Sequence, residues 1–238
     1  MSASSATADV SVVIPALNEA EYLPHLLESL ATQTRPVREV FVVDADSRDG
    51  TRAAAEAGGA VCLAGGGRPG FSRDLGAERA VGEWLLFLDA DLRLPPTAVE
   101  ETLAEVAREG LDAMSCAFVP DSRGWLIRLQ HRVSSEYFWI TSKLRWPHSI
   151  GGFLFVRRSL HEAVGGFDHG IQVAEDQDYV RRLARAGRYA FTRRPVVEIA
   201  ARRFDAEGLW VMSLKWIGIE LHRLFLGEIR GGYFRYFK

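Results

Sequence analysis

Short apolar segments alternate with amphipathic ones along the first half of the chain. The apolar segments cover residues 10–15, 37–43, 60–63, 84–88 and 113–119. The run at 84–88 is too short for a helix and lacks the alternation of a half-exposed strand, so it predicts a strand buried on both faces. Strands that alternate with helices are typical of βαβ units. We therefore expect an α/β fold with a mostly parallel sheet.

The segments between these strands carry helical patterns. Leu23, Leu26, Leu27 and Leu30 predict a helix that ends near residue 32, with Asn18 as its N-cap. Later segments predict more helices and two further strands. We expect the helices at residues 72–80, 97–109, 157–164 and 175–187, and the strands at 151–156 and 196–200.

Acidic side chains follow three of the predicted strands. They are Glu19 after the first strand, Asp44, Asp46 and Asp49 after the second, and Asp89 and Asp91 after the fourth. Ligands of parallel sheets bind beyond the carboxyl ends of the strands, so these loops should converge on one cleft. Mg²⁺ is typically held by one or two carboxylates plus substrate phosphates. The pattern predicts a metal–diphosphate site, and the alternative is a set of solvated loop acids.

Length and composition fit one globular α/β domain: 238 residues, 47% of them apolar and 25% charged. The two cysteines form no disulfide framework, which predicts a reducing, cytoplasmic environment. Residues 1–8 are small and polar and lack the features of a signal peptide, so we expect a disordered tail. We expect no nucleic-acid partner.

Charge is distributed unevenly between the two halves of the chain. Residues 1–122 hold 9 Lys and Arg against 20 Asp and Glu, whereas residues 123–238 hold 20 against 11. An acidic half suits metal and sugar chemistry, and a basic half suits an anionic partner such as phosphate or anionic lipid. The alternative is that the two halves pair with each other.

Two C-terminal segments mix aromatic, aliphatic and basic residues. Residues 123–148 predict an amphipathic helix that packs on the sheet, or else an acceptor groove or membrane interface. Residues 209–226 are apolar, but Lys215, Glu220, His222 and Arg223 interrupt them, which argues against a membrane-spanning helix. Two alternatives stay open for this helix and for the aromatic tail at 229–238: docking on the domain, or peripheral contact with the inner face of the cell membrane.

Four motifs, in this order, resemble the inverting glycosyltransferases of family 2, which have the GT-A fold. They lie at residues 12–19, 42–51, 87–91 and 165–176. The resemblance implies a single GT-A domain over residues 9–205, with a nucleotide-sugar half (9–95) and an acceptor half (96–205). A helical C-terminal extension (206–238) follows. It also implies transfer of a sugar, with inversion, from a nucleoside-diphosphate sugar to an acceptor hydroxyl, with Mn²⁺ or Mg²⁺ as cofactor.

The resemblance also implies roles for individual residues. It assigns the nucleotide sugar to Pro15, Ala16, Glu19, Asp44, Asp46, Arg73 and Asp89, the metal to Asp91 and Asp89, catalysis to Asp176 and Glu175, and the acceptor to Gly151 and Gly152. Asp176 would be the general base, and Asp44 would recognise the base of the nucleotide. A lipid-linked or other anionic acceptor would suit the basic C-terminal half.

Some positions depart from the family pattern. Ala45 separates two aspartates that are often adjacent, and Arg73-Asp74 stands where many members have Arg-Asn. The Q-x-x-R-W motif of processive synthases is absent, and residues 201–204 resemble it only weakly. This absence argues against a polymerising synthase. A nucleotidyltransferase would need a glycine-rich phosphate loop, which residues 15–19 do not form. A non-catalytic sugar-nucleotide-binding or membrane-docking module stays open as an alternative.

Overall fold

The computed structural model describes residues 7–144, 146–149 and 151–230. The strands are β1 Val10–Ala16, β2 Glu39–Asp44, β3 Val61–Ala64, β4 Trp84–Leu88, β5 Leu92–Arg93, β6 Ala113–Asp121, β7 Phe153–Arg157 and β8 Tyr189–Ala200. The helices are α1 Leu23–Ala31, α2 Thr51–Ala57, α3 Pro69–Ala77, α4 Ala98–Glu109, α5 Trp125–Lys143, α6 Arg158–Val164, α7 Glu175–Ala186, α8 Arg202–Glu207 and α9 Leu209–Leu226.

These elements form one mixed α/β domain around an eight-stranded sheet with the order β3-β2-β1-β4-β7-β6-β8-β5. Four of the seven strand pairings among the described residues are parallel. The other three are antiparallel: β7 pairs with β4 and β6, and β5 pairs with β8. The prediction of a mostly parallel sheet flanked by helices is confirmed. Strands from both predicted halves share this one sheet, since β5 pairs with β8.

Strand β4 lies at the centre of the sheet and is buried on both faces, as its unbroken apolar run predicts. Leu86 and Leu88 belong to the core cluster on one face, together with the leucines of α1. Phe87 belongs to the cluster on the other face, where its ring meets Phe167 and Tyr179 edge-on. The loop after β4 is therefore anchored by the best-buried strand of the fold.

Several strand ends that carry predicted site residues lie at the same edge of the sheet. Strands β1, β2 and β4 run parallel, so their carboxyl ends meet there, with Ala16 opposite Asp44. Strand β7 runs the opposite way, so the segment just before it reaches the same edge. The Asp89 amide donates to the carbonyl of Gly152 across this junction, at 3.0 Å. The acidic loops thus converge, as predicted, and the glycine pair lies at the same edge.

Three local predictions were wrong. Asn18 does not cap α1, which begins at Leu23; Asn18 has a left-handed φ of 55°, and its side-chain oxygen accepts from the Arg48 amide instead. The last strand begins at Tyr189 rather than 196, because it pairs with β6 across a register shift that the local pattern does not reveal. The predicted tail also ends earlier: residues 1–6 lie outside the described residues, but Ala8 is buried and donates to the Pro36 carbonyl.

Helices α5 and α9 lie side by side at the surface. The Gln130 amide donates to the Ser213 hydroxyl at 3.2 Å, and α9 buries Met212, Ile219 and Arg223. The rest of α9 leaves large apolar side chains exposed, including Trp210 at 76%. None of the helices within the described ranges is long and apolar enough to cross a bilayer. The aromatic tail at residues 231–238 lies outside the described residues.

Replacing each of two helical glycines by alanine should change the free energy of unfolding in opposite directions. A Cβ on Gly76 in α3 would come within 2.3 Å of Val13, whereas one on Gly218 in α9 meets nothing within 4 Å. We expect Gly76→Ala to lower the free energy of unfolding by about 1–3 kcal/mol through overpacking. Gly218→Ala should raise it by about 0.5–1 kcal/mol, because alanine loses less entropy in a helix. Urea denaturation measures both, and equal effects would contradict the packing of α3 on β1.

Candidate active site

The centre of the site is the guanidinium of Arg73. Its Nη2 lies 2.7 Å from Asp89 Oδ1, and its Nη1 lies 2.8 Å from Glu175 Oε1. The Arg73 side chain is only 4% exposed and lies over the ring of Phe167. Helix α3 comes this close because Gly70 packs against Phe167 and Glu175, where a Cβ would sit 3.1–3.3 Å from their atoms. One buried cation thus joins the end of β4 to the start of α7.

Two adjacent glycines pass between the acidic groups. Gly151 donates its amide to Asp176 Oδ2 at 2.6 Å, and Gly152 accepts the Asp89 amide. A Cβ on Gly151 would lie 2.6 Å from Asp176, and one on Gly152 would lie 3.4 Å from Asp89 Oδ2. A side chain at position 151 would collide with Asp176, which explains the glycine there, whereas a Cβ at position 152 would make ordinary contacts.

Asp176 has the most perturbed carboxyl of the site. Burial raises its pKa to about 7, and the negative charge of Glu175 adds to the rise. The charge of Arg73 and the Gly151 amide act in the opposite direction. Asp176 as a residue nevertheless keeps some exposure to solvent. A carboxyl that exchanges its proton near neutral pH and remains accessible is suited to general acid–base chemistry.

Asp91 and Glu19 share a second cation. Arg202 Nη2 lies 3.2 Å from Asp91 Oδ2 and 2.5 Å from Glu19 Oε1, and the guanidinium lies over the Tyr22 ring. Burial raises the pKa of Asp91, and so does the charge of Asp89. Burial likewise raises the pKa of Glu19. Arg202 begins α8 just after β8, and the sequence analysis assigned it no role in the site.

The predicted nucleotide residues lie at the neighbouring strand ends. Asp44 is buried and accepts from the Ser47 amide at 3.1 Å, and the carbonyl of Ala16 accepts the Ala45 amide. The Glu19 amide donates to the Thr51 hydroxyl, which ties the first loop to the start of α2. Pro15 precedes Ala16 at the end of β1, half-buried.

Asp46 is the predicted site residue that stands apart. It is exposed, has a left-handed φ of 67°, and its side chain makes no hydrogen bond to another described residue. Asp74, by contrast, has a structural role that the sequence analysis missed. Its carboxylate accepts the Phe167 amide and contacts His169 Nε2 at 2.7 Å, beside Gly166 with a φ of 68°. It thereby fixes the loop that carries Phe167 beneath Arg73.

The acidic residues also suit a divalent cation. The described residues contain no group of three or more histidine, cysteine or acidic ligands. Asp89 and Asp91 offer oxygen ligands, and Glu19 Oε2 beside them is buried without a hydrogen-bond partner. A few carboxylate oxygens of this kind suit Mg²⁺ or Mn²⁺ when a diphosphate completes the coordination. The donor set therefore fits a metal that arrives with a nucleotide.

Comparison with known proteins agrees with this geometry. Residues 11–165 match the family model described as Glycosyl transferase family 2. An uncharacterized glycosyltransferase of Haemophilus influenzae is 26% identical over 73% of this chain and 61% of its own. An undecaprenyl-phosphate 4-deoxy-4-formamido-L-arabinose transferase of Serratia proteamaculans is 32% identical over 52% of this chain and 41% of its own. The chain thus spans about two fifths to three fifths of the length of these relatives.

Among solved structures, glucosyl-3-phosphoglycerate synthase of Mycobacterium tuberculosis superposes with a TM-score of 0.61 at 22% identity, over 90% of this chain and 79% of that one. That structure holds Mn²⁺, UDP and glucosyl-3-phosphoglycerate. The likeness shows the GT-A fold, and the prediction of that fold is confirmed.

The Arg73 bridge predicts a large loss of stability when it is removed. We expect Arg73→Met to lower the free energy of unfolding by about 3 kcal/mol, because Glu175 and Asp89 keep their charges without a partner. Arg79→Met is the matched control: Arg79 follows α3 at the surface, and its loss should stay within about 0.5 kcal/mol. Urea denaturation measures both variants. Indistinguishable curves would show that the buried bridge contributes nothing.

Proposed function

This chain belongs to glycosyl transferase family 2, and from that premise we propose that it transfers a sugar from a nucleoside-diphosphate sugar to an acceptor hydroxyl, with inversion at the anomeric carbon. The observation that carries the proposal is the placement of Asp176. Its carboxyl, with a pKa of about 7, lies on the opposite side of Gly151 and Gly152 from Asp89. Such a pair fits an acceptor on one side and a donor diphosphate on the other.

The reaction needs a base for the acceptor and a stabilised leaving group. Asp176 takes the proton of the acceptor hydroxyl while the hydroxyl oxygen forms its bond to the anomeric carbon. The bond from that carbon to the diphosphate oxygen breaks, and the diphosphate leaves from the opposite face. The Gly151 amide holds the Asp176 carboxylate in place, and burial, opposed by the charge of Arg73, sets its pKa at about 7.

The donor would lie along the strand ends. Pro15, Ala16 and Asp44 would line the nucleoside pocket, and Asp89 and Asp91 would hold the divalent cation. When bound, the cation supplies Lewis-acid stabilisation of the departing diphosphate. Arg202 now neutralises Asp91 and Glu19, so it is placed to contact the diphosphate once a cation takes over that charge.

Two features favour an anionic or lipid-linked acceptor. The charge of residues 123–238 is strongly basic. The Serratia relative is named for an undecaprenyl-phosphate acceptor, and the Mycobacterium structure holds a phosphoglycerate product. The second candidate function is a non-catalytic sugar-nucleotide-binding or membrane-docking module, which the apolar exposed face of α9 favours.

Replacement of Asp176 separates these alternatives. We expect Asp176→Asn to lower the transfer rate by about 10²–10⁴-fold, because the amide cannot accept the hydroxyl proton. Asp178→Asn in the same helix is the matched control and should retain most activity. The wild-type rate should rise as pH passes about 7, since the charged carboxylate is the active form. A profile that is flat between pH 5.5 and 9 would contradict this role.

The stability of the same variant gives an independent check. Burial raises the pKa of Asp176, so the folded state binds a proton that the unfolded state loses above about pH 4. The contribution of this proton to stability is therefore complete below about pH 4, is lost as the pH rises from about 4 to about 7, and changes no further above that. We expect Asp176→Asn to melt at a higher temperature than wild type at pH 8, with a smaller difference at pH 5.

Donor binding should depend on the metal. In a thermal-shift screen with nucleoside-diphosphate sugars and MnCl₂, one donor class should stabilise the protein, by about 2.7 kcal/mol at 100 times its Kd. EDTA should remove most of the shift, and so should Asp91→Asn, because that carboxylate would hold the cation. A metal-dependent shift without transfer or donor hydrolysis would favour the non-catalytic module. No shift with any donor would contradict both functions.

A further inference from the structure

A long groove lies between α5 and strands β6 and β8. Its volume is about 670 Å³, within the range of ligand-binding pockets. Apolar side chains form most of the lining, among them Phe118, Trp125, Leu129 and Val196. A second concavity of about 430 Å³ shares Leu129 with it and continues along α5 to Ile140. The two concavities together extend the groove along α5.

Two arginines that line this groove form no ion pair among the described residues. Arg128 and Arg132 are one helical turn apart and exposed, and their side chains make no hydrogen bond or ion pair with any residue in the described ranges. The other charged groups of the lining neutralise each other: Arg193 pairs with Glu136 at 2.5 Å and lies over the Trp139 ring. The groove therefore carries two uncompensated positive charges above an apolar floor.

The groove begins next to the proposed active site. Phe118 is one of the lining residues, and its buried side chain lies beside Gly152, where a Cβ would sit 3.5 Å from the Phe118 ring and 3.4 Å from Asp89 Oδ2. One residue of the core, Phe118, thus borders both the groove and the backbone beside the Asp89 carboxylate. The position is that of an acceptor rather than of the donor nucleotide, which lies toward β1 and β2.

We propose that this groove binds the acceptor, and that the acceptor is a lipid-linked saccharide: an apolar chain, a phosphate or diphosphate, and a sugar that bears the reacting hydroxyl. The chain lies along Trp125, Leu129 and Val196, the phosphate binds Arg128 and Arg132, and the sugar lies at the Phe118 end. Guanidinium groups bind phosphate through charge-assisted hydrogen bonds, and an apolar chain leaves water for the apolar floor. The acceptor role rests on the proposed sugar transfer, whereas the binding of a lipid phosphate does not.

Calorimetry with farnesyl phosphate as the probe, kept below its micelle concentration, tests the site on the full chain. Wild type should bind it, and should bind farnesol and inorganic phosphate at least tenfold more weakly, because each lacks one part of the ligand. Arg128→Glu combined with Arg132→Glu should weaken farnesyl phosphate at least tenfold. Leu129→Asp should do the same through the apolar floor.

The matched control is Arg35→Glu combined with Arg79→Glu, which makes the same change of net charge at exposed arginines outside the groove. It should stay within twofold of wild type. Equal weakening in the two double variants would overturn the proposal in favour of a general charge effect. Inorganic phosphate bound as tightly as farnesyl phosphate would overturn the lipid part.

Two further outcomes distinguish this proposal from the proposed sugar transfer and from contact with a bilayer. If wild type binds farnesyl phosphate but no nucleoside-diphosphate sugar, the groove stands and the proposed sugar transfer falls. The other outcome is that wild type does not bind farnesyl phosphate but co-sediments with phosphatidylglycerol vesicles, and that the Arg128/Arg132 double variant does not co-sediment. The exposed surface of α5 would then contact a bilayer, and the groove proposal would be wrong. The donor-induced thermal shift of the double variant should equal that of wild type.

Discussion

The pairing of buried carboxylates with two arginines is the constraint on which this site depends. Asp89 and Glu175 meet at Arg73, and Asp91 and Glu19 meet at Arg202. Carboxylates gathered at one sheet edge repel one another and lose hydration, and these two cations offset both costs. Arg73 is fully enclosed and fixed by the fold, whereas Arg202 belongs to a short helix without buried residues. One cation is therefore enclosed by the fold, and the other is partly exposed at the surface of the site.

Close backbone approach is the second requirement. Gly70 brings α3 against α7, and Gly151 and Gly152 let the chain pass between Asp176 and Asp89. These contacts explain how Asp176 is enclosed enough for its pKa to rise and still reachable by an acceptor. Burial of a charged base costs stability, and the Gly151 amide and Arg73 offset part of that cost.

The parts of this architecture that the sequence predicts are those with local causes. An unbroken apolar run predicts a buried strand, so β4 and the acids that follow it could be placed, together with the shared edge of β1, β2 and β4. Non-local pairings could not be predicted. The length of β8 depends on β6, the role of Asn18 depends on the amide of Arg48, and Asp74 is explained only by the loop it holds. The candidate site residues were predicted from motif order, while their connections through Arg73 and Arg202 required the fold.

The uneven charge of the chain admits two explanations, and both apply, to different residues. Part of the basic half neutralises the acidic half: Arg202 pairs with Asp91 and Glu19, and Arg157 pairs with Glu83. Arg128 and Arg132 do not take part in this pairing within the described chain. Two like charges one turn apart on a helix repel each other weakly, which costs stability without a gain inside the protein. A fold that compensates its buried charges and leaves these two arginines above an apolar groove is better explained by an external anion than by internal pairing.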